Sequence, residues 1–256
     1  ELDYYDADVG ITLRHAAKYG SFPLARCYAR ADESGRVGEL RVLDSPWELD
    51  PSRVPLRVLS LRPDCDPAHA EPRELIAAHE DREYHFSLES ERPLLINLRA
   101  LLTRLDPDLL LTAYGDTWLL PRLLELAAKH NLPLPLSRDP QRGVMHKKEG
   151  SYFSYGQIIY RGQQILLYGR CHIDGRNAMM WQDYDLDGAL ENARITGLPI
   201  QTAARVSPGT GISSMQIITA LRNDILVPWR KQAAERPKTA ADLIRYDQGG
   251  LVYQPI

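Results

Sequence analysis

The stretch that most constrains this chain is LLLTAYGDTWLLPRLLELAAKHN, residues 109–131. LLLTAY is an apolar run of strand length, and from Leu120 onward Leu and Ala recur at helical spacing. Between them stand Tyr114, Gly115, Asp116, Thr117 and Trp118. A buried strand that turns through Gly and Asp straight into a helix is a building unit of α/β domains. The crevice at such a strand end is where these domains commonly hold ligands. Pro121 fits the first helical turn, where its missing N–H leaves no bond unmade.

The flanking segments extend the pattern. Residues 91–108, ERPLLINLRALLTRLDPD, place Leu94, Leu95, Leu98, Leu101, Leu102 and Leu105 at helical spacing, and Asp106-Pro107 ends the run. VPLRVLSL, residues 54–61, and REYHFSLESE, residues 82–91, read as strands. Residues 21–48 read as two strands around the turn cluster Asp32-Glu33-Ser34-Gly35. Residues 132–150 form a loop rich in Pro and positive charge. SYFSYGQIIYRGQQILLYGRCHID, residues 151–174, reads as two β-like runs around Arg161-Gly162, a hairpin, followed by a strand, and residues 191–224 mix a Gly/Pro/Ser loop with a helix. No internal repeat or low-complexity tract interrupts this order.

Ordinary soluble composition, 44% hydrophobic and 25% charged over 256 residues, allows one large domain or two modest ones. A net charge of -3 excludes a uniformly basic surface but leaves room for a local basic groove. No apolar run approaches the roughly 20 residues of a membrane span. The three cysteines, Cys27, Cys65 and Cys171, are far apart and lack metal-ligand spacing. They read as isolated thiols, and a cytoplasmic location is expected. The chain opens on Glu1 and stops as a new strand begins, so part of a longer polypeptide is expected.

Acids at strand ends are the first candidates for chemistry, because paired Mg²⁺ ions need about three or four carboxylates within reach of centres roughly 3.5–4 Å apart. Here these are Asp64 and Asp66 after VLSL, Asp116 after LLLTAY, Asp174 after GRCHI, and Asp183, Asp185 and Asp187 in DYDLDG. The bland reading of each is a turn or a helix cap. There is no G-x-S-x-G elbow, SPGTG lacks the strand and Lys of a phosphate-binding loop, and the histidines form no H-x-x-x-H pair. His172, alternating within CHID, reads as structural. Basic residues gather at Arg138, Arg142, His146, Lys147 and Lys148, and again at Arg230, Lys231, Arg236 and Lys238. Interleaved with Tyr152, Phe153, Tyr155 and Trp229, they offer what a single-strand groove needs: cations for phosphates and rings for bases. Solubilising loop charge is the alternative.

Taken in order, these stretches resemble the front portion of a family B DNA polymerase. DPDLLLTAYGDTWLLPRLLELAAKH resembles the family's second exonuclease motif, in which a strand runs into GYNGDSFDLPYL-like sequence. PLRVLSL with the acids after it resembles the first motif, an Asp-x-Glu at a central strand end. GRCHID behind the Tyr-rich hairpin resembles the strand between the second and third motifs. The run from ITGLPI to VPW, followed by DQGGLVYQP, resembles the entry into the palm with its Tyr-x-Gly-Gly element.

The resemblance implies an α/β fold. A β-rich N-terminal portion (1–53) would precede a ribonuclease-H-like 3′–5′ exonuclease-like domain, a mixed sheet flanked by helices (54–206), with a hairpin insertion at about 151–170. Residues 207–256 would form a helical connection and the start of the palm. By the same resemblance the first motif's Asp falls on Arg62 and its Glu on Asp64. The second motif's Asn falls on Tyr114 and its metal-binding Asp on Leu119. Tyr184 with Asp187 matches the third motif, and Asp116 is the family's non-catalytic Asp, expected to cap the helix.

Two metal-binding acids are thus replaced, one by a cation. The chain is expected to lack exonuclease activity, and also polymerase activity, since it stops before the palm's first Asp motif. Its role would be to hold single-stranded or primer–template DNA for the remainder of the same polypeptide. Arg138, Arg142, Lys147, Lys148, Tyr155, Arg161, Trp229, Arg230, Lys231, Gly249 and Gly250 would contact the DNA, with no metal cofactor and no membrane. Two alternatives stay open. One is an active exonuclease using Mg or Mn at Asp64, Asp66, Asp116 and Asp187, with Tyr184 orienting the water. The other is a scaffold without DNA affinity.

Overall fold

The computed structural model describes residues 10–139, 141–154, 157–227 and 239–241. Its centre is a five-stranded sheet. Strand β3 (Val58–Pro63) buries Leu59, Leu61 and Pro63 in alternation, the period-two signature of a strand with one strongly apolar face. It pairs antiparallel with β4 (Glu74–His79), which pairs antiparallel with β5 (Arg82–Ser87). On its other side β3 runs parallel to β6 (Leu109–Thr112), and β6 runs parallel to β11 (Cys171–Asp174). The sheet order is β11-β6-β3-β4-β5.

Helices cover both faces. Leu94, Leu95, Leu98, Leu101 and Leu102 of α2 (Glu91–Leu105) pack with Leu120, Leu123 and Leu126 of α3 (Leu120–Lys129) on Leu59, Leu61, Leu75 and Leu110. Each fully buried Leu contributes on the order of 1.5–3 kcal/mol. The opposite face packs Leu109 and Ile173 against α1 (Ile11–Tyr19), α4 (Trp181–Thr196), α5 (Ile200–Ala203) and α6 (Pro208–Arg222). Helix α2 ends where Asp106 turns left-handed at φ 39°, with Pro107 next.

Three elements depart from the sequence reading. The front segment is not β alone. A ribbon of β1 (Cys27–Ala31) and β2 (Val37–Val42) follows helix α1, which buries only Leu13 and Ala16, too short an apolar face to stand out. Strand β4 buries Leu75, Ile76 and Ala77 in succession, so no alternation marks it. In the loop at 132–150, β7 (Met145–Lys147) pairs with β10 (Gln164–Leu166). Outside that pair, β8 (Gly150–Ser154) meets β9 (Gln157–Arg161), so the hairpin does not turn at Arg161-Gly162 as the sequence suggested: the runs on either side of those residues pair with β8 and β7, not with each other. Together these four short strands make one broken ribbon from Met145 to Leu166.

The handover from β6 to α3 is tighter than an ordinary turn. Tyr114 is left-handed at φ 60°, and Gly115–Leu119 forms a single wide π turn. Leu119 N–H donates to the Tyr114 carbonyl at 2.8 Å. Gly115 lies so close to β6 and β11 that an added Cβ would overlap Thr112 Oγ1 and stand 2.7 Å from His172 Nε2. Neither neighbour has room to yield, because both are buried. Gly115→Ala is therefore expected to destabilise the fold by about 1–3 kcal/mol. Its urea midpoint should fall with the slope unchanged, and an unaltered midpoint would show that the turn relaxes freely.

Candidate functional site

The carboxyl ends of β3 and β6 form the strand-end crevice that the sequence singled out. Arg62 emerges there half-exposed, its Nη2 3.5 Å from Glu83 Oε1 on β5. Asp64, just beyond β3, accepts the Arg73 N–H at 3.0 Å, which closes the β3–β4 loop. Asp66 caps that loop by accepting the Ala68 N–H at 2.9 Å and lies 3.1 Å from His69. Those bonds, with one from the Tyr114 hydroxyl, hold its carboxyl below the ordinary range. The Arg176 guanidinium sits over the Tyr114 ring, 5.3 Å from its centroid. Leu119 is fully buried, its side chain in the core with Leu120 and Leu123.

Asp116 faces inward. It was expected to cap the helix, but no side-chain cap bond forms at the π turn or at α3. Its carboxylate, wholly buried, takes both arms of Arg205, Nε to Oδ2 and Nη2 to Oδ1, each at 3.1 Å. It also accepts the Ile165 N–H at 2.7 Å and Asn177 Nδ2 at 2.8 Å. Arg205, reaching in from the turn between α5 and α6, donates further to the carbonyls of His172 and Gln201, both at 2.9 Å. Among the described residues no buried side-chain N or O lacks a partner.

The rest of the centre follows from this pair. His172 Nδ1 meets the Ile165 carbonyl at 2.6 Å and must donate to it, so Nε2 accepts from the Thr112 hydroxyl at 2.8 Å. That tautomer is neutral. Burial, reinforced by the neighbouring Arg205 charge, pushes the His172 pKa down to about 4. Asp174, at the end of β11, accepts the N–H groups of Asp116 at 2.9 Å and Arg176 at 3.0 Å. Burial outweighs those bonds and raises its pKa to about 6.

The third-motif pair lies elsewhere. Asp187 is exposed, 3.6 Å from Arg53 in the segment that leads into β3, whereas Asp64 follows the other end of that strand. Helix α4 breaks at Asp185 (φ 43°), whose carboxylate accepts the Asp187 N–H at 3.0 Å. Tyr184 packs its ring against Gly188, and Asp183 is exposed in the first turn. Among the described residues no group of three or more His, Cys, Asp or Glu is arranged to hold a metal ion.

The basic residues divide. Arg138 is engaged by Asp106 at 2.8 Å and Asp108 at 2.7 Å, beside Arg57 and Arg170. Arg142 pairs with Asp139 and lies over the Tyr168 ring. Lys147 and Lys148 are exposed where the broken ribbon passes from β7 to β8, and Arg161 ends β9 opposite Gly150. Tyr155, Trp229, Arg230, Lys231, Gly249 and Gly250 lie outside the described residues. Arg205, Asn177 and Gln201 were not singled out by sequence. Each is a lone polar residue in a loop or short helix, and only the fold brings it to Asp116 or His172.

With this geometry in place, the chain's fold is similar to that of a solved structure, the family B DNA polymerase from the hyperthermophilic archaeon Pyrobaculum calidifontis. The TM-score is 0.58 at 20% identity, over 92% of this chain and 38% of that one. The chain thus spans well under half the length of that polymerase. No family model and no curated protein matches the chain. No helix among the described residues is long and apolar enough to cross a membrane.

Two measurements probe the centre. Arg205→Met would leave Asp116 buried without its cation and should cost about 3–5 kcal/mol, part of which a second change, Asp116→Asn, recovers. No recovery in the double variant would mean the two side chains act separately. The pH dependence follows from opposite signs. Asp174, raised from 3.8 to about 6, adds stability that is complete at low pH and lost as pH rises through about 6. His172, lowered from 6.5 to about 4, adds stability that is complete above pH 6.5 and lost as pH falls through about 4. Between these limits the two slopes oppose. Asp174→Asn should remove one of them, so that the urea midpoint falls more steeply on acidification than in the parent.

Proposed function

We propose that this chain is the exonuclease-like portion of a family B DNA polymerase homologue, with a nuclease centre that no longer holds metals. It positions single-stranded or primer–template DNA for the remainder of the same polypeptide. The observation that carries this reading is the chemistry at the strand-end crevice, where Arg62 stands at the end of β3 and Leu119 is sealed in the core. A pair of Mg²⁺ ions needs several converging oxygens. A guanidinium repels such ions and a leucine supplies no ligand, so the residues present do not fit the group.

The sheet order supports the ribonuclease-H-like assignment: an antiparallel β3-β4-β5 meander continues through β3 into parallel β6 and β11. The similarity to the archaeal polymerase over 92% of the chain supports the family assignment. A rearranged active site is less well supported. The oxygens of Asp116 are taken by Arg205, Ile165 and Asn177, and Asp187 lies beside Arg53.

DNA contact is supported by the broken ribbon. Phe153 pairs with Ile158 and Ser151 with Tyr160, so Phe153, Ile158 and Tyr160 share one face, and all three are largely exposed. Lys147 and Lys148 are exposed in the segment that leads into β8. Exposed rings beside cations suit bases and phosphates of a single strand.

The test follows 3′-labelled single-stranded DNA by anisotropy and by gel in the same samples, with Mg²⁺ or Mn²⁺ present. Binding that weakens with salt and leaves the strand intact is expected. Lys147→Ala with Lys148→Ala should lower the salt slope by about 1.4–1.8, some 0.7–0.9 per lost phosphate contact. Metal-dependent shortening that Asp64→Ala abolishes would establish the active exonuclease instead. Neither binding nor cleavage would leave a scaffold.

A further inference from the structure

At the end of the sheet opposite the strand-end crevice, the segment leading into β3 does not seal against α4. Two cavities of about 800 and 490 Å³ share Leu24, Val54, Pro55, Leu56 and Leu190 as lining, and so adjoin along this segment as a groove. Its floor is apolar but only half-covered: Leu24, Leu56, Val58, Leu186 and Leu190 are each of intermediate exposure, and Val54 is 38% exposed. Such side chains gain further burial only if something lies on them.

The rim of the larger cavity is acidic. Asp44, Glu48, Asp50, Asp187 and Glu191 line it against Arg53 and Arg194, five acids to two bases, an excess of three negative charges. Arg194 is already held by both oxygens of Glu191 and by the Pro46 carbonyl at 2.7 Å, and Asp44 is paired with Arg26. Glu48 accepts the Ser45 N–H at 3.1 Å and its charge acts on Arg194, while Asp50 has no ion-pair partner among the described residues. The Arg53–Asp187 contact of 3.6 Å joins side chains 91% and 76% exposed, where solvent screens it. Asp187, the residue that matched a nuclease motif, therefore belongs to a groove rim.

We propose that this groove docks a basic amphipathic segment of a protein partner, which lays apolar side chains on Leu56, Leu186 and Leu190 while its Lys or Arg residues face Glu48, Asp50 and Asp187. An apolar floor within a rim that carries an excess of one sign is the pattern of helix-in-groove recognition, with burial giving affinity and the rim giving register and rate. A nucleic-acid strand is disfavoured there, because its phosphates would meet the excess of carboxylates. The proposal is independent of the nuclease reading.

The test uses the full chain and a fluorescent Leu/Lys amphipathic peptide of about 14 residues, long enough to form a helix on binding. Controls are the same peptide scrambled, and a version with Glu in place of every Lys. Saturable binding that drops about tenfold in Asp50→Lys and Asp187→Lys, and weakens with salt, is expected. Both positions are exposed, and an unchanged melting temperature in each variant would separate lost docking from lost folding. Equal binding of the scrambled or Glu-substituted peptide, or no response to the rim variants, would overturn the proposal. So would a concentration-dependent dimer that Asp50→Lys abolishes, which would assign the groove to a second copy of the chain.

Discussion

The buried ion pair between Asp116 and Arg205 is the constraint on which the rest of the centre depends. Taking two charges out of water costs several kcal/mol for each, and the loss is offset only when every remaining lone pair and N–H finds a partner. Here the partners come from separated stretches: Ile165 of β10, Asn177 after β11, the His172 carbonyl of β11 and the Gln201 carbonyl of α5. One carboxylate thereby fixes the β6–α3 handover, the base of the ribbon, and the turn into α6.

This inward use of polar groups determines what the strand-end crevice can do. Asp116 and Asp174 both stand at strand ends, yet both spend their oxygens on backbone N–H groups and buried side chains. What reaches the crevice instead is Arg62, the Tyr114 ring with Arg176 over it, and Asp64 and Asp66 tied into the β3–β4 loop. Acids that brace a loop differ in effect from acids that hold an ion, though their residue types are the same. The π turn matters here as well, because it sends Leu119 into the core behind Leu120.

The charge of -3 for the whole chain conceals a local separation. Lys147 and Lys148 are exposed in the segment that leads into β8, while five acids and two bases line the cavity between the β3 lead-in and α4. Charges within about a Debye length act together and more distant ones are screened, so each surface presents its own sign to a partner.

The sequence by itself determined the elements whose patterns are strong. Helix α2 is legible from six leucines at helical spacing and a stop at Asp106-Pro107, and β6 with α3 from an apolar run and its sequel. The β1–β2 turn at Asp32–Gly35 was also legible, because turn chemistry is local, whereas the hairpin read around Arg161-Gly162 was misplaced: β9 ends at Arg161 and pairs with β8, and β10 pairs with β7. That Arg stands at position 62 and Leu at 119 needed only residue identities. Strand β4 was not legible, because a strand buried on both faces has no alternation to detect, and neither was α1, whose buried face is two residues wide. Tertiary structure alone decided that Asp116 holds Arg205 rather than capping a helix, that Arg138 is bound to Asp106 and Asp108, and that Asp187 sits on a groove rim. Those assignments join residues 30 to 140 positions apart, and side-chain chemistry at such separations is set by packing, which no local pattern encodes.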